Sequence, residues 1–229
     1  MIKHTCDAFY SYFMMLIHPF KTHEMLRQQR MAIRERSTVV PISTSDEKYN
    51  LIQLKREEVI CFSWIMEIIS AIYTIMSINL GISALNFINT GSSFNSWIAF
   101  QLYYSGQITN ITITLLFVVL FPVTAWVYIK VWEMIVVFFM KLFEYDELDE
   151  LGAIDVVTST LSANILLLIP LFGSVLAKLY QILLFFAGLK SNLGMNTQQS
   201  ILVLMAPIFL LVVTILFLIG YVILMFTAM

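Results

Sequence analysis

Charge is what this sequence has least of: only 12% of its 229 residues are charged, while 59% are hydrophobic. Soluble domains are about one-quarter charged and one-half apolar, so the surplus here, with a mean hydropathy of +0.85, belongs to lipid-facing surface. Histidine stops at His23, after His4 and His18, which excludes HExxH and Cys–His zinc spacings. No GxSxG elbow, Walker loop or dinucleotide fingerprint occurs. The apolar runs also hold no His or Asp pair of the kind an intramembrane protease needs. No enzyme, cofactor, metal or nucleic-acid partner is expected. The two cysteines, Cys6 and Cys61, are both expected on the reducing side, which argues against a structural disulfide. Cys61 is read as an interfacial thiol, with acylation as the alternative.

What charge exists is unevenly placed. Nine of the thirteen Lys and Arg residues precede Val59 (Lys3, Lys21, Arg27, Arg30, Arg34, Arg36, Lys48, Lys55 and Arg56), so the positive-inside rule makes residues 1–58 a cytoplasmic segment. No secretory h-region is seen there, and insertion is expected to be directed by the first span. Phe9, Phe13, Leu16 and Phe20 recur at helical spacing over a run too short to cross a bilayer, which predicts an interfacial amphipathic helix. Pro19 suits the first turn of a second helix. On it His23, Arg27, Arg30 and Arg34 form a basic stripe, read either as a solvated face or as an attachment site for anionic lipid or a protein partner.

Residues 37–49 lose periodicity and read as a polar linker around Pro41. The rest, 59–229, reads as an all-α polytopic bundle of about five transmembrane helices, at about 59–85, 111–129, 153–169, 171–189 and 200–226. Glu67 lies about two turns inside the first span, where a carboxylate needs a reason. The readings are a pair with Lys130, a water-filled crevice, or an ion or proton ligand. Between Asn86 and Asn110 there is no charged residue, and Trp97, Tyr103 and Tyr104 suggest an outer loop on the bilayer surface. Asn110-Ile111-Thr112 matches a glycosylation acceptor but abuts the membrane. Pro122 falls inside the second span, and Lys130 and Glu133 stand three apart at its inner end, able to pair on one face. Residues 131–143 either continue that helix or turn along the interface. The acidic cluster Glu144, Asp146, Glu147, Asp149 and Glu150 lacks calcium-loop spacing and reads as a solvated loop.

Ser162 and Asn164 are candidate interhelical hydrogen-bonding groups in the third span. Ile169-Pro170 and Gly173 break the run, predicting a tight turn into a fourth span. That span carries Lys178 near its outer end, read as snorkelling outward or pairing across the hairpin, with a conduction role as the alternative. Lys190 closes that span on the cytoplasmic side. Five crossings from an inner N-terminus put the C-terminus outside.

The stretch from Asn164 to Pro207 resembles the Yip family of Ypt/Rab-interacting membrane proteins. The matching features are Ile169-Pro170, Gly173, Tyr180 and Gly188-Leu189, then Thr197, Ser200 and Pro207, with LIHPFKTHEML near the N-terminus. The resemblance implies five transmembrane helices, a cytoplasmic N-terminus and, in eukaryotic members, binding of prenylated Rab-type GTPases. The Asp-Leu-Tyr-Gly-Pro segment of those members does not occur, so the chain is similar to prokaryotic-type members of a bacterial inner membrane.

Two functions follow as expectations. The first is a non-enzymatic scaffold or adaptor that recruits lipid or a protein partner through Arg27, Arg30 and Arg34, with a homo-oligomer also open. The second is a small transporter or channel built on Glu67, Lys130 and Lys178, the Pro122 kink and the broken Pro170 hairpin. Bilayer shaping by the short hairpin is a third.

Overall fold

A computed structural model describes residues 2–38, 56–88, 95–145 and 150–227. Among these, seven α-helices and no strand occur: α1 (Ile2–Ile17), α2 (Pro19–Thr38), α3 (Arg56–Ile88), α4 (Asn95–Leu142), α5 (Glu150–Thr160), α6 (Gly173–Ala187) and α7 (Thr197–Thr227). A 3-10 helix, Leu161–Leu168, continues α5, and a π-helical turn, Gly188–Asn192, ends α6. The linker around Pro41 lies outside the described residues, as do Asp146, Glu147 and Asp149.

The protein is a polytopic membrane bundle. Among the described residues, four helices are long and apolar enough to cross a bilayer: Arg56–Gly81, Ile108–Leu142, Gly173–Asn192 and Thr197–Phe226. The predicted fifth, 153–169, falls on the shorter apolar helix Gly152–Leu168. It is not one α-helix because the hydroxyls of Ser159, Thr160 and Ser162 each donate to the carbonyl three residues back, at 2.7, 2.7 and 2.6 Å. Such bonds bend a helix, and the chain tightens to 3-10 at Leu161. One other expectation changes, and one open alternative is resolved. Helix α4 starts at Asn95, so the outer loop is far shorter than Asn86–Asn110, and residues 131–142 simply prolong it.

Each break has a local cause. Between the 3-10 helix and α6, the left-handed residue is Leu171 (φ 70°), not Gly173. Gly173 is needed for another reason: a Cβ there would lie 2.5 Å from the Leu166 carbonyl oxygen. The hairpin closes backbone on backbone. Helix α7 starts with Asn196 as cap, and the Gln199 side chain reaches back to its N–H at 2.9 Å.

Helix α3 packs on α4 and on the 3-10 helix, while α1 and α2 lie against the 3-10 helix, the π-turn and α6. Buried apolar residues (Val59, Ile129, Val136, Val156, Leu189 and Val203 among them) concentrate at the end that carries Arg56, Glu133 and Asp155. At that end the helices are tightly packed. Toward the other end they part.

Candidate functional site

Where the helices part, a crevice of about 610 Å³ opens between α3, α4, the 3-10 helix and α6. Its lining is more polar than the exterior, which is nearly all apolar: Glu67, Ser70 and Thr74 come from α3, and Thr114, Thr124 and Tyr128 from α4. Asn164 comes from the 3-10 helix, and Ser174, Lys178 and Gln181 from α6. Side chains three apart eclipse on a 3-10 helix. Leu161, Asn164 and Leu167 therefore stand in one straight row along the wall. Asn164 is buried, and its Oδ1 accepts from Gln181 Nε2 at 3.0 Å across the hairpin. Ser162, the other predicted interhelical group, instead bonds within its own helix.

The structure thus brings Glu67, Asn164 and Lys178 to one cavity, with Pro170 and Gly173 forming the turn beside it. It keeps Lys130 away. Lys130 Nζ pairs with Glu133 at 3.0 Å, one turn along its own helix, and Arg56 reaches the same carboxylate at 3.4 Å. A Glu67–Lys130 pair is therefore not formed: these residues belong to the bundle's charged end, and Glu67 lies farther along α3.

Pro122 cannot donate to the carbonyl four residues back, which is that of Val118. Trp64 Nε1 donates to that oxygen at 2.7 Å, so the proline break on the α4 wall is stitched to α3.

Helix α1 is tied to the crevice wall through Leu161. Tyr12, fully buried, donates to the Leu161 carbonyl at 2.7 Å and lies 3.0 Å from Ser63 Oγ, one turn before Glu67. Burial pushes the Tyr12 hydroxyl well above its ordinary pKa, so it remains a donor. Tyr180 on α6 donates to the Leu16 carbonyl, holding the other side of α1.

The basic stripe on α2 is corrected at two positions. His23 is buried, with Nε2 3.2 Å from Ser159 Oγ. Burial, with the Arg30 charge adding to it, lowers its pKa to about 3, so it is neutral. Arg30 pairs with Asp155 at 3.2 Å and also donates to the Asn192 backbone and side chain. The guanidinium fits because residue 152 is glycine: a Cβ there would collide with it. Arg27 in the same way packs its guanidinium over Gly194, and only Arg34 on this stripe has a side chain outside the described set. Through His23, Arg27 and Arg30, a face read as pointing outward instead holds α2 to α5 and to the turn after α6.

Sequence reasoning missed Tyr12, Trp64, Asp155 and Gln181. For Trp64 the signal was available, because Pro122 obliges some donor to meet Val118. Among the described residues, no group of three His, Cys, Asp or Glu side chains could hold a metal ion.

Compared with family models, curated proteins and solved structures, the chain matches none.

Proposed function

We propose that this protein is a non-enzymatic membrane carrier or channel that admits a polar solute into the crevice between α3, α4 and α6. The observation that carries the reading is that Glu67 and Lys178, on separate helices, line one crevice whose wall also carries hydroxyl and amide side chains. Ionisable side chains at membrane depth are expensive and mark substrate or ion pathways. An interrupted hairpin beside the site, here at Pro170, is the arrangement in which broken helices line solute sites. The reading is tested by reconstituting the full chain in liposomes: Glu67→Gln should lower solute flux, and wild-type flux equal to that of empty liposomes would reject it.

The topology belongs to the same proposal. Eleven α residues and eight 3-10 residues reach about 32 Å, close to the ~30 Å hydrocarbon core. Residues 150–168 then form a fifth crossing, with a cytoplasmic N-terminus and the C-terminus outside. A bacterial inner membrane and Yip-like membership are part of this reading. Reporter fusions at both termini test it: both on one side would remove the fifth crossing.

An adaptor role is the second reading, and what favours it is now an apolar row rather than the arginines. Phe9, Phe13, Ile17 and Phe20 are exposed on α1 and the start of α2, a surface suited to lipid or to an apolar helix of a partner. Affinity purification in mild detergent should recover a partner that Phe13→Ser with Phe20→Ser loses. An unchanged set of co-purifying proteins would end this reading.

A further inference from the structure

We propose that the crevice takes a zwitterion, its ammonium group facing Glu67 and its anionic group facing Lys178. The inference rests on the carrier reading above and names the chemical class of its ligand. Some charges of the bundle are matched within the protein: Arg30 with Asp155, and Arg56 and Lys130 with Glu133. Glu67 and Lys178 are different. Both line the crevice, one on α3 and one on α6, and among the described residues neither forms an ion pair.

That arrangement selects by charge number. A lone cation would answer Glu67 and leave the lysine unanswered; a lone anion would do the reverse. An uncharged solute would answer neither. A ligand carrying both signs on one short skeleton satisfies both groups at once, and the same pair of charges repels any ion presented to the wrong end. Ion-selective pores, in contrast, are lined by a single sign or by carbonyl rings. The remaining lining supplies neutral hydrogen-bonding groups, with Asn164 held in place by Gln181. A volume of about 610 Å³ is in the range of small-molecule sites. Free amino acids and their sulfonate analogues carry this pair of charges, and so does the head group of phosphatidylethanolamine. The shared chemistry is an ammonium and an acid group joined by one or two carbons.

The experiment uses the full chain in liposomes and a matched set of solutes. Glycine and taurine are the zwitterions; isethionate, which is taurine with hydroxyl in place of ammonium, is the anion. Choline is the cation and erythritol the uncharged control. A parallel arm follows bilayer exchange of acyl-labelled phosphatidylethanolamine. Glycine or taurine should cross at least about tenfold faster than the other three, because a site built to pair a group rejects the analogue lacking it. Glu67→Gln should narrow the discrimination against isethionate, and Lys178→Gln that against choline. This crossed pattern is one that simple loss of folding does not give. Exchange of the phospholipid without solute flux would also support the zwitterion and identify its source as the head group. Isethionate, choline or erythritol crossing as fast as taurine would overturn the inference and leave the carrier reading standing. No flux of any solute or lipid above empty liposomes would overturn both.

Discussion

The indole N–H of Trp64 donates at 2.7 Å to the carbonyl of Val118, the one that Pro122 deprives of its helical partner. One side chain on α3 thereby repairs the break in α4. The prediction is reciprocal. Trp64→Phe should destabilise the bundle by about 1 kcal/mol, the usual worth of such a bond in a membrane protein. Pro122→Ala restores the N–H at residue 122 and should abolish most of that loss. Thermal unfolding of the two single variants and the double variant in detergent measures the coupling; additive effects would refute it.

Tyr12 ties α1 to the crevice wall, its hydroxyl answering both Ser63 and the Leu161 carbonyl. Tyr12→Phe should cost about 1–3 kcal/mol, the range for a buried group left unsatisfied, moderated because Ser63 still donates to Leu161 at 3.1 Å. Thermal unfolding in detergent measures the loss, and a variant as stable as the wild type would contradict this role.

Arg30 and Asp155 are both mostly buried, with side-chain exposures of 19% and 11%. Removing one partner of a buried pair costs about 3–5 kcal/mol, so Arg30→Ala should lower the melting temperature far more than Lys21→Ala at an exposed position, which should stay within about 0.5 kcal/mol. Equal melting temperatures would return the stripe to the surface role first read from the sequence.

His23 predicts a pH dependence of definite sign. Its pKa falls from 6.5 to about 3 on docking, so the docked state holds it neutral while the undocked state takes up a proton below about 6.5. Docking of α2 is therefore fully stable above that pH and weakens as pH falls from about 6.5 toward 3. Amide hydrogen exchange of α2 between pH 7.5 and 5 should show rising exchange after correction for its intrinsic rate. His23→Gln should flatten the profile; a profile unchanged by that substitution would contradict the assignment.

At the hairpin, Gly173→Ala should destabilise by about 1–3 kcal/mol, because its Cβ meets backbone that has nowhere to move. Leu171→Gly should stabilise by up to about 1 kcal/mol, since it relieves a left-handed residue whose side chain is exposed. Melting curves that move in the opposite order would mean that the turn has another geometry.

The membrane class, the Pro170 break and the candidates Glu67, Asn164 and Lys178 were legible in the sequence because each is a local signal: a long apolar run, a proline, a polar group in the wrong solvent. The burial of His23 and Arg30 was not. Their spacing sets them on one helical face, but spacing cannot say that Asp155, more than a hundred residues on, and the missing side chain of Gly152 receive them. The extent of α4 was obscured for a similar reason. Polar residues from Asn95 to Asn110 read as a loop, yet they continue a helix whose apolar portion is long enough to carry them. Nor did composition separate Leu161–Leu168 from an α-helix, since the shift to 3-10 is driven by hydroxyls in the preceding turn.

That 3-10 stretch is also a stroke of fixed length. Rewinding its eight residues as α-helix would shorten it by about 4 Å, at roughly 0.5 Å per residue. The same rewinding would turn Asn164 out of line with Leu161 and Leu167 and draw the Pro170 tip toward the packed end. The position of the Pro170 tip and the alignment of Asn164 with Leu161 and Leu167 are therefore both set by the 3-10 winding of this one segment.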